Sequence, residues 1–300
     1  MEAAIDAVLG FELHGLGIGL VLLILVAAVW AGAINTVVGS GTLVTFPVLV
    51  AMGVPPVSAT VSNAMGLIAG NFTGAWGYRR EILQVRSVLA KLVPASFVGG
   101  VIGAALLIML PEEVFGKVAP VLILVSLLMV IAQPRLAAWI KRRKTEEAAD
   151  PETPSPGDPA ETAAQKAADS VGWPLIVLVF LAGIYGGYFV AAQGILLMGI
   201  MGIFLAATMQ QANGVKNLLV AFVNLTAAIS YVVVDYVLRD PDDRVILWGI
   251  VLVIAVGSTL GGLIGAWVGR RLSPVVLRSI IIVLGLVALA VMLNNLFGIV

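Results

Sequence analysis

The feature that most constrains this chain is a succession of apolar runs, many of them about twenty residues long, punctuated by small clusters of charge, glycine and proline. A helix needs about 20 residues to cross a hydrocarbon core about 30 Å thick, and lipid tolerates only backbone whose amides are paired internally. The runs predict helices near 17–35, 42–52, 56–77, 88–110 and 114–133, and again near 173–191, 194–206, 208–233, 245–268 and 275–297. Composition agrees: 60% of residues are hydrophobic and 11% charged, against about 25% charged in a soluble domain, and mean hydropathy is +1.08. An all-α integral membrane protein is expected and a soluble enzyme is excluded. In each half the second run is too short to span, since about 12 residues of helix rise about 18 Å. Segments 42–52 and 194–206 are therefore read as half-helices interrupting the bundle near the midplane, either re-entrant or crossing.

Several chemistries are removed by what the chain lacks. It has no cysteine, and its one histidine, His14, lies outside the first span, so disulfides, thiolate catalysis, a histidine metal cluster and a Ser/His/Asp triad within the spans cannot be assembled. No cofactor, no metal and no enzymatic activity are expected. Formal net charge is +0, which points to no nucleic-acid partner and leaves information only in where charge is placed. Glu2, Asp6 and Glu12 precede the first run without any Lys or Arg, the opposite of a signal-peptide start, so that run is expected to be retained as a membrane helix.

Placement of the basic residues sets an orientation, because cytoplasmic loops carry the excess of Lys and Arg. Arg79, Arg80 and Arg86, then Arg135 and Lys141–Lys144, then Arg270 and Arg271 assign three loops to the cytoplasm. The intervening loops, with Glu112, Glu113 and Lys117 and with Asp235, Asp240, Asp242, Asp243, Arg239 and Arg244, are net acidic and face out. Counting crossings puts both termini outside a multi-pass protein of the cell's inner membrane, and the second half enters from the side opposite to the first. Residues 1–133 and 173–300 are accordingly read as two transmembrane repeats. The linker between them, 134–172, is read as cytoplasmic: a short basic amphipathic helix on the inner headgroups, followed by a disordered Pro, Ala, Glu and Asp tract from Thr145 to Ser170.

Internal repetition supports the division. Asn71-Phe-Thr73, Ala75 and Tyr78 recur 153 residues later as Asn224-Leu-Thr226, Ala228 and Tyr231, and the same offset carries Gly41 onto Gly194 and Ala59 onto Ala212. Gly99-Gly-Val-Ile-Gly103-Ala104 recurs as Gly261-Gly-Leu-Ile-Gly265-Ala266 at a slightly larger offset. Inverted repeats with interrupted helices are a construction that transporters use around a central site. The glycine pairs read mainly as small-residue packing faces. The Asn-X-Thr sequences at Asn71 and Asn224 lie inside spans, where they cannot act as glycosylation signals.

Candidate chemistry gathers at the two breaks, Asn35-Thr-Val-Val-Gly39-Ser40-Gly41-Thr42 and Gln193-Gly194. Irregular backbone at membrane depth must be buried in protein or line a wet cavity. Half-helices starting at Thr42 and Ile195 are expected to present free N–H groups and a positive dipole end, which suits an anion. Lys216 stands about 12 Å into its helix, where a lysine is costly unless it snorkels to the headgroups or has a function. Its counterpart in the first half is Asn63. Asn217, Asn213, Gln193, Ser40 and Thr60 are candidates to complete a hydrogen-bonding shell. No carboxylate falls inside a predicted span, which disfavours a cation, so a small anion is the expected substrate. An anion leaving a negative-inside cell gains about 2.3 kcal/mol per charge per 100 mV, enough for export without a coupling ion.

The stretch Asn35-Thr-Val-Val-Gly39-Ser-Gly41-Thr-Leu, then Phe46-Pro47-Val-Leu, Gly53 and Ala59-Thr60, with a weaker copy around Gly186-Gly187 and Gln193-Gly194, resembles the TauE/SafE family of sulfite-exporter-like permeases. The likeness runs through nearly the whole chain apart from the linker. It implies transport of sulfite, sulfoacetate or other organosulfonates, thiosulfate or a similar small anion. A passive anion channel is the alternative, to be separated by kinetics. The expected partners are the small anion and the lipid bilayer, with homo-oligomerisation left open.

Overall fold

The computed structural model describes residues 17–149, 159–268 and 274–297. His14, the acidic residues before it, Arg270, Arg271 and the side chains of Lys141, Arg143 and Lys144 lie outside the described residues. All α-helices among the described residues follow in chain order: α1 (Ile18–Val37), α2 (Thr42–Ala51), α3 (Pro56–Gly77), α4 (Arg79–Gln84), α5 (Arg86–Met109), α6 (Glu112–Ala149), α7 (Pro159–Asp169), α8 (Trp173–Tyr188), α9 (Gln193–Phe204), α10 (Met209–Val237), α11 (Trp248–Val268) and α12 (Pro274–Phe297).

The boundaries have local causes. Gly39, at φ +91°, reverses the chain after α1, a conformation that glycine adopts without strain. Pro56 opens α3 at its first helical position, where its missing N–H is not needed. Thr208 caps α10: its hydroxyl accepts from the Gln211 N–H while the Gln211 side chain accepts from the Thr208 N–H, the reciprocal capping box.

Among the described residues five helices, within Ile18–Val37, Arg86–Met109, Glu112–Ile140, Met209–Val237 and Pro241–Trp267, are long and apolar enough to cross a membrane. Large apolar side chains on α1 (Leu22, Leu23, Val26), α5 (Phe97, Val98) and α11 (Val256, Leu260) point outward and stay exposed. That arrangement suits lipid, while the polar side chains of α3, Ser58, Thr60, Ser62, Asn63 and Asn71, are buried inside. The molecule is a polytopic α-helical membrane protein.

The halves interlock. α11 packs along α1 and α3, and α5 packs along α8 and α10. α2 lies on α12 and α9 on α6, while α3 meets α10 and α6 meets α12. This pattern returns onto itself when α1, α2, α3, α5 and α6 are exchanged for α8, α9, α10, α11 and α12. The repeated glycines stand at the closest approaches. A Cβ on Gly261 would strike the backbone of Val29 and Ala33, and one on Gly99 that of Phe180 and Ile184. Gly100 lies against Thr226, and Gly262 against Thr73.

The segment after residue 133 differs from expectation. Instead of a separate surface helix, α6 runs unbroken through Pro134 to Ala149. Its apolar side chains meet protein: Leu136 lies against Gly199 and Ile140 against Gly202 of α9, while Trp139 remains exposed. The tract expected to be disordered holds α7 instead, outside the undescribed 150–158. Alanine, glutamate, lysine and glutamine favour helix, and Ala167 and Val171 find apolar cover against Val85, Val88 and Leu175. Lys91 Nζ donates to the Ala168 carbonyl at 2.7 Å, tying α7 to α5.

Candidate functional site

At the first break α1 ends under a bond from Val38 N to Ile34 O at 2.7 Å, and the chain turns at Gly39 into α2. The side chain of Asn35 bridges the turn. Its Oδ1 accepts from Gly41 N at 3.2 Å, and its Nδ2 donates to Asn71 Oδ1 on α3. Asn63 clamps the first turn of α2, donating to Thr42 Oγ1 at 3.2 Å and accepting from the Thr45 hydroxyl.

The second break is held differently. Val190 at φ 65° and Ala192 at φ 59° take the left-handed conformation, which costs an L-residue about 1–2 kcal/mol. Ala192 stands 153 residues after Gly39, so both breaks use one positive φ at the same place, without glycine in the second. Tyr185 secures the turn by donating to Ala191 O at 2.7 Å, with Ser126 Oγ 2.8 Å from the phenol. Gly186 leaves room for the Gln193 side chain, whose Nε2 donates to Ala182 O at 3.2 Å.

The two breaks meet each other. Gly194 N donates to Gly39 O at 3.1 Å. A Cβ on Gly39 would lie 2.6 Å from Gly194 Cα, closer than two carbons can approach, so only glycine fits on the Gly39 side of the contact. Of the N–H groups expected to be free at the starts of α2 and α9, most are engaged. Gly41 and Gly194 N–H are engaged as described, Leu43 and Val44 turn back onto Ser40 and Gly41 carbonyls, and Ile195 and Leu196 onto that of Ala192. α9 also begins at Gln193 rather than at Ile195. The oxygens left over are side-chain ones: Ser40 Oγ and Gln193 Oε1, 153 residues apart, are buried without a protein hydrogen-bond partner.

Lys216 does not snorkel. It is fully buried, and its Nζ donates to Asn35 O at 3.0 Å and Thr36 O at 3.2 Å, while Asn217 Nδ2 reaches Thr36 O at 3.3 Å. Both carbonyls belong to the last turn of α1, the negative end of its dipole, where a cation is favoured. No carboxylate among the described residues pairs with Lys216. Asp235 is also buried, but about 28 Å further along α10, accepting from Val245 and Ile246 N at 2.9 and 3.2 Å.

Asn35, Gly39, Ser40, Gly41, Thr42, Asn63, Gln193, Gly194, Lys216 and Asn217 thus belong to the two breaks and their bracing. Thr60 bonds to Pro56 O of its own helix and Asn213 lies apart. Asn213 Nδ2 donates to Tyr78 Oη at 2.9 Å, and the pair lines a cavity of about 210 Å³ with Val37 of α1, Leu136 and Ile140 of α6, and Ile195 and Gly199 of α9. Tyr78, Asn71, Tyr231 and Asn224 are polar residues of the interior that were read from the sequence as repeat markers only. No cluster of His, Cys, Asp or Glu suited to a metal occurs among the described residues.

Comparison with known proteins adds relatives to this geometry. The chain is 26% identical to the probable membrane transporter protein YfcA of Escherichia coli (strain K12) over 118 residues, 39% of this chain and 44% of that protein. It is 27% identical over 122 residues, 40% and 48% of the two chains, to a probable membrane transporter protein of Haemophilus influenzae. A probable membrane transporter protein, ORF9, of Sinorhizobium sp is 26% identical over 125 residues, 41% and 48%. The alignments span about half the length of the curated relatives. No solved structure matches the chain. The model of the family described as sulfite exporter TauE/SafE matches residues 24–292, from the first span to the last, and the chain belongs to that family.

Proposed function

We propose that this protein is a secondary transporter that carries a small anion such as sulfite, sulfoacetate or another organosulfonate outward across the inner membrane, with its two halves inverted about the helix breaks. The observation that carries the reading is Lys216. A buried ammonium is costly unless its charge is met, and among the described residues only carbonyl dipoles meet it. An ammonium has three donors. With two engaged, the third suits an oxyanion, and the Ser40 hydroxyl, at the same break as the carbonyls that hold Lys216, has no protein partner. The family's description and the relatives' names support transport. The backbone contact between Gly39 and Gly194 favours a carrier over an open pore, because it closes the junction between the half-helices.

The test is uptake of radiolabelled sulfite, sulfoacetate and thiosulfate into proteoliposomes by the wild type, Lys216→Ala and Lys216→Arg. Saturable flux that is lost in Lys216→Ala and partly kept in Lys216→Arg is expected. Undiminished flux in Lys216→Ala overturns the role of the ammonium, and an ohmic, non-saturating current overturns the carrier in favour of a channel. Flux that requires a proton or sodium gradient at zero membrane potential overturns uncoupled export.

A further inference from the structure

Helix α10 carries more polar chemistry than the breaks use. Asn213, Asn217, Asn224 and Tyr231 are spaced by four, seven and seven residues, which returns each to within about 40° of the same azimuth. They form one stripe that starts in the cavity at Asn213 and continues inward for about 27 Å. Asn217 donates to Thr36 O and Tyr231 to Gly187 O at 2.8 Å, while Asn213 donates to Tyr78 and leaves only its Oδ1 without a protein partner. Asn224 is fully buried, and neither its Oδ1 nor its Nδ2 has a protein partner. Its helical neighbours Val220, Val223 and Ala227 are buried apolar residues, so packing alone asks for no amide there.

The counterpart of Asn224 on α3 is Asn71, whose Oδ1 accepts from Asn35 while its Nδ2 has no protein partner. Phe72 and Phe222 touch edge to face, centroids 6.1 Å apart, so α3 and α10 cross close to these two asparagines. We propose that Asn224, with Nδ2 of Asn71, forms a second anion-contacting station at this crossing, reached from the cavity along the α10 stripe. The inference rests on the anion-transport reading and extends it. Amide N–H groups hydrogen-bond an oxyanion without neutralising it. Binding at such a station is weak enough for the anion to leave again, as the release step of a carrier requires. The lysine at the break and the amides at the crossing would then be successive contacts of one path rather than one site.

The test exploits the missing partner. A buried amide without a partner destabilises, so Asn224→Leu is expected to leave the thermal midpoint of the detergent-purified protein unchanged or raised. The same variant is expected to lose sulfite and sulfoacetate flux by about tenfold or more, with raised KM, as for a lost hydrogen bond to a charged group. Asn224→Asp, which places a carboxylate at the station, is expected to abolish flux. Wild-type flux accompanied by an Asn224→Leu flux within twofold overturns the station alone. So does a marked fall in the midpoint of Asn224→Leu, which would reveal a structural partner for the amide. A wild type that moves none of the tested anions overturns the anion-transport reading itself, and the station with it.

Discussion

Gly39 and Ala192 show how one backbone requirement is met by two residues with different consequences. Both stand at a positive φ where a half-helix begins, but Gly39 also has Gly194 pressed against it. Gly39→Ala adds a methyl to a position that is already strained for an L-residue and already in contact. A loss of at least about 2 kcal/mol is expected, read as a lower midpoint in thermal unfolding of the purified protein. Ala192→Gly should do the reverse, raising stability by up to about 1 kcal/mol, because it relieves a left-handed alanine at the cost of some unfolded-chain entropy. Fluxes of the two variants should diverge in the same direction as their stabilities only if the strain at the second break has no part in transport. A more stable but slower Ala192→Gly would show that it has.

At the scale of elements, the extension of α6 forms one wall of the cavity, through Leu136, Ala137 and Ile140. Leu136 and Ile140 face glycines of α9, and Pro134 precedes them in the same helix. The chain has no cysteine, so Ile140→Cys with Gly202→Cys gives a clean cross-linking pair. Oxidising the pair to a disulfide with copper phenanthroline is expected to stop flux and reduction with a dithiol to restore it; flux that survives complete linkage would remove α6 from gating. The elements were largely legible beforehand, because lipid demands long apolar runs and glycine and proline mark their ends. Both short helices, 42–52 and 194–206, lie within about two residues of α2 and α9. Low hydrophobicity in the 145–170 tract points to disorder while its alanines and glutamates favour helix, and no local pattern reveals that Ala167 and Val171 join an apolar cluster with Val88 of α5 and Leu175 of α8. Lys216 stood out by its position, but its partners are main-chain oxygens 180 residues away, which no side-chain motif encodes. Asn71 and Asn224 were visible as a repeat, yet whether a buried amide is partnered is a property of the packed structure alone.

The whole molecule is two halves that each complete the other. α1 and α3 rest on α11, and α8 and α10 rest on α5, so neither half buries its glycine faces by itself. A chain cut by protease at a site introduced between residues 150 and 158 is therefore expected to stay together through detergent purification and gel filtration. Residues 1–149 expressed alone should aggregate or be degraded. Recovery of that half as a monodisperse species would contradict the interlocking. The pairing of α1 with α11 also governs biogenesis. At a synthesis rate of about 5–20 residues per second, α1 enters the bilayer roughly 10 to 50 seconds before its main partner has been made. Throughout that interval Ala28 and Gly32, which meet Gly257 and Ser258 of α11 in the finished protein, face lipid or the insertion machinery. The order of emergence from the ribosome thus leaves the face of α1 that α11 covers waiting while most of the chain is made, and whatever shelters it until then is as much a condition of the fold as the contacts that replace it.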